Sequence, residues 1–314
     1  MINIPVIFWK GRSFNLVNFG IFAALGAMLG YSISFFYLQS RGIPVNRFCW
    51  EIALILSLFN LLFAKLYAMF SIGVSEFFRN LRHHLNETSF YQQGGMIGTI
   101  AGALLLIYLR DIPVPVLGDS LCLGGIVTMA VGRIGCHYYG CCTGKPMNGR
   151  LGIKYTDPNA KICRDHPALL NTPLLPAQLI SSVIDFLIFV LCCAVSVLYP
   201  FSGLIMVVFF ISFNLKRIAI QHFRLKPTNN KIPYRLIAFL FIVFLLLIML
   251  IFHSKGESFF EQTPSKIPFT LINYFRFWGS DLNIIASLIF VFLINFVAYG
   301  IHGRRIGTHF NLSA

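Results

Sequence analysis

The sequence predicts an all-α, polytopic integral membrane bundle of seven to eight transmembrane helices. Composition is the first ground. Of 314 residues, 57% are hydrophobic and 11% charged, and mean hydropathy is +0.74, whereas a soluble domain carries about 25% charged residues. Recurrence is the second: apolar runs of about 20 residues, enough to cross the hydrocarbon core, continue along the whole length. There is no internal repeat, no low-complexity tract and no soluble second unit, so residues 1–314 read as a single transmembrane domain.

Eight apolar segments follow in order: 16–37, 50–74, 93–109, 114–135, 177–199, 201–222, 234–252 and 283–301. The first, "FGIFAALGAMLGY", is punctuated by glycine. The third, "GGMIGTIAGALLLIYL", is short, and its small residues suit close helix packing. The seventh, "LIAFLFIVFLLLIMLIF", has no polar residue and is expected to face lipid. The connection 136–176 is the longest without an apolar run. The opening "MINIPVIFWKGRSF" lacks the basic region, apolar core and small-residue cleavage site of a signal peptide, and no lipidation signal is expected at either end.

The net charge of +14 sits mostly between the apolar runs. In a membrane protein this points to anionic headgroups and to orientation, and no nucleic-acid partner is expected. Eight spans place both termini on one face with the loops around 75–92, 136–176 and 223–233. That face is much the richer in Lys and Arg, which the positive-inside bias assigns to the cytoplasm.

Polar groups within spans are costly and tend to face a cavity or a partner. Asp119 and Arg133 share the fourth segment fourteen positions apart, roughly four turns along one helix face, as two levels of one polar seam. Gln178, Asp185, Asn214, Lys216, Arg217 and Arg224 complete the set. Snorkelling to the interface accounts equally well for Arg133 and Arg224, and is the expectation for Lys216. In "FFISFNLKRIAIQHFR", residues Asn214, Arg217, Gln221 and Arg224 follow steps of three, four and three and line one stripe. Arginine forks match phosphate oxygens bidentately, so such a stripe at headgroup depth suits a phospholipid.

The stretch "VGRIGCHYYGCCTGKP" at 131–146 sets Arg133, Cys136, His137, Cys141 and Cys142 at the mouth of the fourth segment. Cys136, Cys141, Cys142 and Cys163, with His137 and His166, could form a zinc site, but the spacing C-x4-C-C differs from the pairs of structural zinc sites; tight packing in the turn is the first expectation, and no metal and no cofactor is expected. Cys163 is a candidate disulfide partner for one of the three if the loop faces an oxidising compartment. Cys49, Cys122, Cys192 and Cys193 read as small buried hydrophobes.

Five patches in order, over about residues 16–227, resemble the bacterial prolipoprotein diacylglyceryl transferases. "GRIGCHYYGC" is similar to that family's signature G-R-x-G-N-F-x-N-x-E, matching at Gly132, Arg133, Gly135 and Gly140, with Asp119 at the family's upstream Asp. "QGGMIG" resembles H-G-G-L-I-G, "PAQLIS" at 176–181 resembles P-S-Q-L-Y-E, and "RIAIQHFR" at 217–224 resembles R-x-x-x-E-F-F-R. The first segment resembles the family's Gly-punctuated first span. Departures lie at Gln93 (His in the family), Cys136 and Tyr139 (Asn), Cys141 (Glu), Phe213 (a phenol), and Ile180 and Ser181 (Tyr-Glu).

The resemblance implies transfer of the diacylglyceryl group of phosphatidylglycerol onto a precursor lipoprotein's cysteine thiol, in the bacterial inner membrane. The partners it implies are the phospholipid and lipoprotein precursor peptides. It implies Arg133 and Arg217 as a phosphate clamp supported by Arg224. Gln93, Gly94, Gly95 and Gly98 lie at its Gly-Gly motif, where the glycines let helices and lipid approach. Asp119 would orient an arginine, Gly132 and Gly135 would leave room for a headgroup, and Gln178 falls in the P-S-Q-L-Y-E position. The substituted acid–base positions leave His137 as the nearest base, with His222 behind it. The family's signature loop lies on the outer face, against the charge count. Two other readings stand beside transfer: a lipid-binding homologue with impaired catalysis, and a thiol-redox membrane protein using Cys136, Cys141, Cys142 and Cys163.

Overall fold

A computed structural model describes residues 6–9, 12–15, 18–79, 92–149, 151–158, 160–225, 243, 260–262 and 270–309. A β-hairpin, β1 (Val6–Trp9) and β2 (Arg12–Asn15), precedes α1 (Asn18–Ser40), α2 (Val45–Ile72), the short α3 (Val74–Arg79), α4 (Gln92–Arg110) and α5 (Val114–Tyr139). The connection 140–176 holds β3 (Ile153–Lys154), α6 (Lys161–Asp165) and β4 (Pro173–Leu174). It leads to α7 (Ala177–Leu198), α8 (Leu204–Phe223), α9 (Leu271–Trp278) and α10 (Leu282–His309). Seven of these helices, α1, α2, α4, α5, α7, α8 and α10, are long and apolar enough to cross a membrane. The chain is a multi-pass helical membrane protein. The predicted segment 234–252 lies, apart from Val243, outside the described residues.

Helix α1 is the central post, packed on α5 and α10, while α5 in turn packs on α7 and α8. The α1–α5 crossing is close because glycine faces glycine. A Cβ at Gly30 would run into the Gly124 carbonyl, and one at Gly124 into the Gly30 carbonyl. Helices without a hydrophobic drive between them associate through such small-residue contacts and interhelical hydrogen bonds. Here Ser34 Oγ donates to Ser120 O (2.8 Å) and Thr128 Oγ1 to Gly26 O (3.1 Å).

The α4 glycines serve the same purpose against α2. Gly94 and Gly98 abut the backbone at Phe63, Ala64 and Phe59. Gly95 faces Asn60, whose Nδ2 donates to Gly95 O (3.0 Å) and Thr99 Oγ1 (3.1 Å). The close helix approach expected of these glycines is made by α2, and that face is therefore filled by α2 and not by lipid. Gln93 opens the same helix, whose packing partner is α2 rather than α5, α7 or α8.

Asp119 also departs from its expected place. Its carboxylate accepts from the backbone N–H groups of Gly203 (2.7 Å) and Met206 (2.8 Å) and from Tyr37 Oη (3.2 Å). It therefore closes the N-terminus of α8, where unpaired N–H groups and the helix dipole favour an anion. Fourteen residues of α5 separate it from Arg133, about 21 Å of rise, and the arginine within its coulombic reach is Arg41, stacked over Tyr37. Asp119→Ala should orphan buried donors at about 1–3 kcal/mol each, lowering the melting temperature in detergent while lipid binding measured below the transition is kept. Normal melting with lost lipid binding would return Asp119 to the site.

The connection 140–176 forms a cap over one end of the bundle. β3 pairs antiparallel with β4, and Tyr155, Ala160, Ile162, Cys163 and Leu174 make a second small apolar cluster. All eight cysteines are free, and Cys163 is buried in this cluster with its thiol toward Tyr155 O (3.8 Å). The conditional bridge from Cys163 to a rim cysteine is not formed. A hydrogen bond from Leu225 N to Thr143 O holds the end of α8 to the cap, whereas Phe260 N donates to Ser202 O at the opposite end.

Candidate lipid-phosphate site

The site lies where α5, α7 and α8 meet beneath the cap. Its core is an ion pair between Lys216 of α8 and Asp185 of α7, 2.5 Å apart, with both side chains buried. The Lys216 Nζ also lies 4.9 Å from the centroid of the Phe213 ring. The snorkelling expected of Lys216 is corrected, because a carboxylate on the neighbouring helix gives the ammonium a partner inside the bundle.

Arg133 is within coulombic reach of Asp185, Cys136, Cys141 and Cys142, and Lys216 is within reach of both Arg133 and Arg217. Arg133 and Arg217 therefore both lie near Lys216. Arg224 lies within coulombic reach of Cys142, and its backbone bridges to Gly144. Of the predicted α8 stripe, Asn214 is turned inward, its Nδ2 donating to Phe210 O of its own helix (2.8 Å).

Two glycines of the signature divide the work expected of both. A Cβ at Gly132 would meet open space, whereas one at Gly135 would press on Phe22 and Phe19 of α1. Only Gly132 leaves room beside Arg133. Gly135 is a packing contact, continued by Phe22 stacking on Tyr138 at 5.3 Å.

Gly140 ends α5 in the left-handed region (φ 77), and Cys142 takes the same region (φ 58), which a non-glycine residue seldom adopts. These two turns fold the chain back so that the sulfurs of Cys136, Cys141 and Cys142 all lie within 4.8 Å of one another. The turn is stitched on all sides. Cys141 N donates to Cys136 O, Gly144 N to Leu175 O, Lys145 N to Phe223 O and Leu175 N to Lys145 O. Gln178 Nε2 donates to Cys141 O (2.7 Å) and lies 3.4 Å from Tyr155 Oη. Gln178, expected to bind substrate, is a buried latch on the thiol turn.

Hydrogen bonds from the Cys136 and Cys141 thiols, with Arg224 and Arg133 behind them, hold Cys142 well below the usual thiol range despite burial. The same thiol contacts, with burial, push Cys141 well above it. His137 lies one turn beyond Arg133, half-buried beside Tyr155. The Tyr155 hydroxyl donates to His137 O (3.0 Å) and stands 3.4 Å from Nδ1. Burial raises the Tyr155 phenol, which stays a proton donor at ordinary pH.

An apolar groove of about 310 Å³ opens between α5 and α7, lined by Ala130, Val131, Ile134, Ser182, Val183 and Phe186. It adjoins the Arg133 turn, and Ser182 Oγ fixes the two helices by donating to Ala130 O (2.7 Å). Cations at the end of a span, an apolar groove beside them and clustered thiols make up an arrangement able to hold a phosphodiester with its acyl chain.

Sequence reasoning missed two features. Asp185 and Lys216 were each noted without being paired, although lone opposite charges in adjacent spans are a pairing signal. Tyr155 carried none, because its place under His137 depends on how the cap folds.

Comparison with known proteins bears on this arrangement. A stretch of 137 residues, 42% of this chain, is 28% identical to the phosphatidylglycerol–prolipoprotein diacylglyceryl transferase of Clostridium tetani. It spans 52% of that relative, about half its length. The family described as prolipoprotein diacylglyceryl transferase matches residues 5–254, most of the chain and all of the α5–α7–α8 site. The chain belongs to the prolipoprotein diacylglyceryl transferase family.

Proposed function

We propose that this protein moves the diacylglyceryl group of phosphatidylglycerol to the thiol of a lipoprotein-precursor cysteine in the bacterial cytoplasmic membrane. The observation that carries the reading is the convergence of Arg133 and Arg217 on one charge cluster beside an apolar groove. The guanidinium groups hold the lipid phosphate, and an acyl chain lies along Ala130, Ile134 and Phe186. As the glyceryl C–O bond breaks, charge grows on the departing glycerol phosphate, and fixed cations at that point lower the barrier. The acceptor attacks as a thiolate, since the thiolate is the nucleophile. His137 beside Arg133 is the imidazole placed to take the proton.

A lipid-binding homologue with impaired catalysis is the second reading. It is favoured by the burial of Gln178 against the Cys141 carbonyl and by Cys141 standing where the family has Glu. Complementation separates the two. Expression in a strain depleted of its own prolipoprotein diacylglyceryl transferase should restore growth and mature lipoproteins. Phosphatidylglycerol binding without rescue, at normal membrane levels, supports the second reading.

A further inference from the structure

We infer that Cys136, Cys141 and Cys142 form a thiolate metal site for a soft divalent cation of the Zn²⁺ class, with the fourth coordination position taken by the acceptor thiol. Three sulfurs within 4.8 Å of one another match what a common ion requires. A Zn–S bond of about 2.3 Å in tetrahedral geometry sets sulfurs about 3.8 Å apart. Among the described residues no fourth His, Cys, Asp or Glu joins the group. Three protein ligands with one exchangeable position is the pattern of a catalytic rather than a structural zinc site. Thiolates select soft metals over magnesium or calcium.

The surroundings fit this charge and geometry. Three thiolates around Zn²⁺ carry a net single negative charge, and Arg133 and Arg224 lie within coulombic reach of them. Backbone strain at a non-glycine left-handed residue such as Cys142 costs about 1–3 kcal/mol and persists where the surroundings over-determine it. Here the hydrogen bond from Gln178 and the strand-like contacts to 173–175 and 223–225 hold the turn in the form that gathers the sulfurs. The spacing C-x4-C-C conceals the site because the α5 helix end and two left-handed residues, rather than a knuckle, close it.

The metal's role rests on the transfer reading. A coordinated thiol is deprotonated, so the acceptor S–H gives up its proton to His137, next to Cys136 in the chain, on binding. Its sulfur forms the C–S bond to the glyceryl carbon. The C–O bond to phosphate breaks, with its electron pair going to the phosphate oxygen, and glycerol phosphate leaves held by the arginines. This supplies the thiolate at a rim where the family's acid–base residues are substituted.

The test reads metal first and transfer separately. Detergent-purified protein loaded with Co²⁺ should bind one equivalent, with sulfur-to-cobalt charge-transfer absorption and the intense visible bands of a tetrahedral site. A lipobox peptide bearing Cys should shift those bands, and the same peptide bearing Ser should not. Single Ser variants at Cys136, Cys141 and Cys142 should each lower Co²⁺ and Zn²⁺ affinity at least tenfold. Cys163→Ser, in the separate apolar cluster, should keep it, and monodisperse elution of each variant confirms folding. Absence of stoichiometric metal in wild type, or equal binding by Cys136→Ser/Cys141→Ser/Cys142→Ser, overturns the site. Bound metal with unshifted bands, or undiminished transfer by that triple variant, overturns the acceptor role alone. Bound metal and shifted bands without any transfer from phosphatidylglycerol would instead count against the proposed function.

Discussion

Arg133→Lys is expected to lower lipid transfer about a hundredfold, nearly as far as Arg133→Ala, with both variants inserted at normal levels. A lysine keeps the charge but not the planar fork, and a point charge cannot reproduce two parallel hydrogen bonds to a phosphate. Losing one such transition-state donor is worth about 3 kcal/mol. The backbone around it makes the comparison clean. Gly132 faces open space, so the lysine meets no clash there, and Gly135 fixes the helix on Phe22 independently of residue 133. Transfer by purified protein, at matched amounts in phosphatidylglycerol vesicles, checks it. Near-normal transfer by the lysine variant would make Arg133 an interfacial anchor.

Asp185→Leu should be the most destabilising change in the membrane core. It leaves Lys216 buried within coulombic reach of Arg133 and Arg217, and breaking a buried pair from one side costs about 3–5 kcal/mol. Lys216→Met should cost less, because Asp185 keeps Arg133 within coulombic reach. The double variant Asp185→Leu/Lys216→Met should recover much of the Asp185→Leu loss, since two apolar side chains need no mutual compensation. Denaturant midpoints in mixed micelles measure all three. Additive losses in the double variant would show that the two residues act apart.

The bundle was legible because a span must be long and apolar, and that is written in consecutive residues. Arg133 stood out for a related reason, since a charge at the end of an apolar span is costly and tends to find a partner. What failed depended on partners remote in sequence. Asp119 reads as a partner for a clamp arginine until the N-terminus of α8 arrives beneath it. Gly94 and Gly98 read as close-packing glycines, but that the helix they meet is α2 is not written in their own segment. Lys216 looks like a surface lysine until α7 presents Asp185. The thiol cluster was hidden differently, since no spacing rule anticipates two left-handed residues after a helix end.

The central claim is that the α5–α7–α8 rim transfers a diacylglyceryl group to a thiol. Its most direct measurement is reconstitution of the purified protein with phosphatidylglycerol labelled in its headgroup glycerol and a lipobox peptide. The account predicts release of labelled glycerol phosphate in equal amount to thioether-linked peptide, abolished by Arg133→Ala and by replacing the peptide cysteine with serine. Saturable phosphatidylglycerol binding with neither product formed, while a prolipoprotein diacylglyceryl transferase assayed alongside yields both, would contradict it.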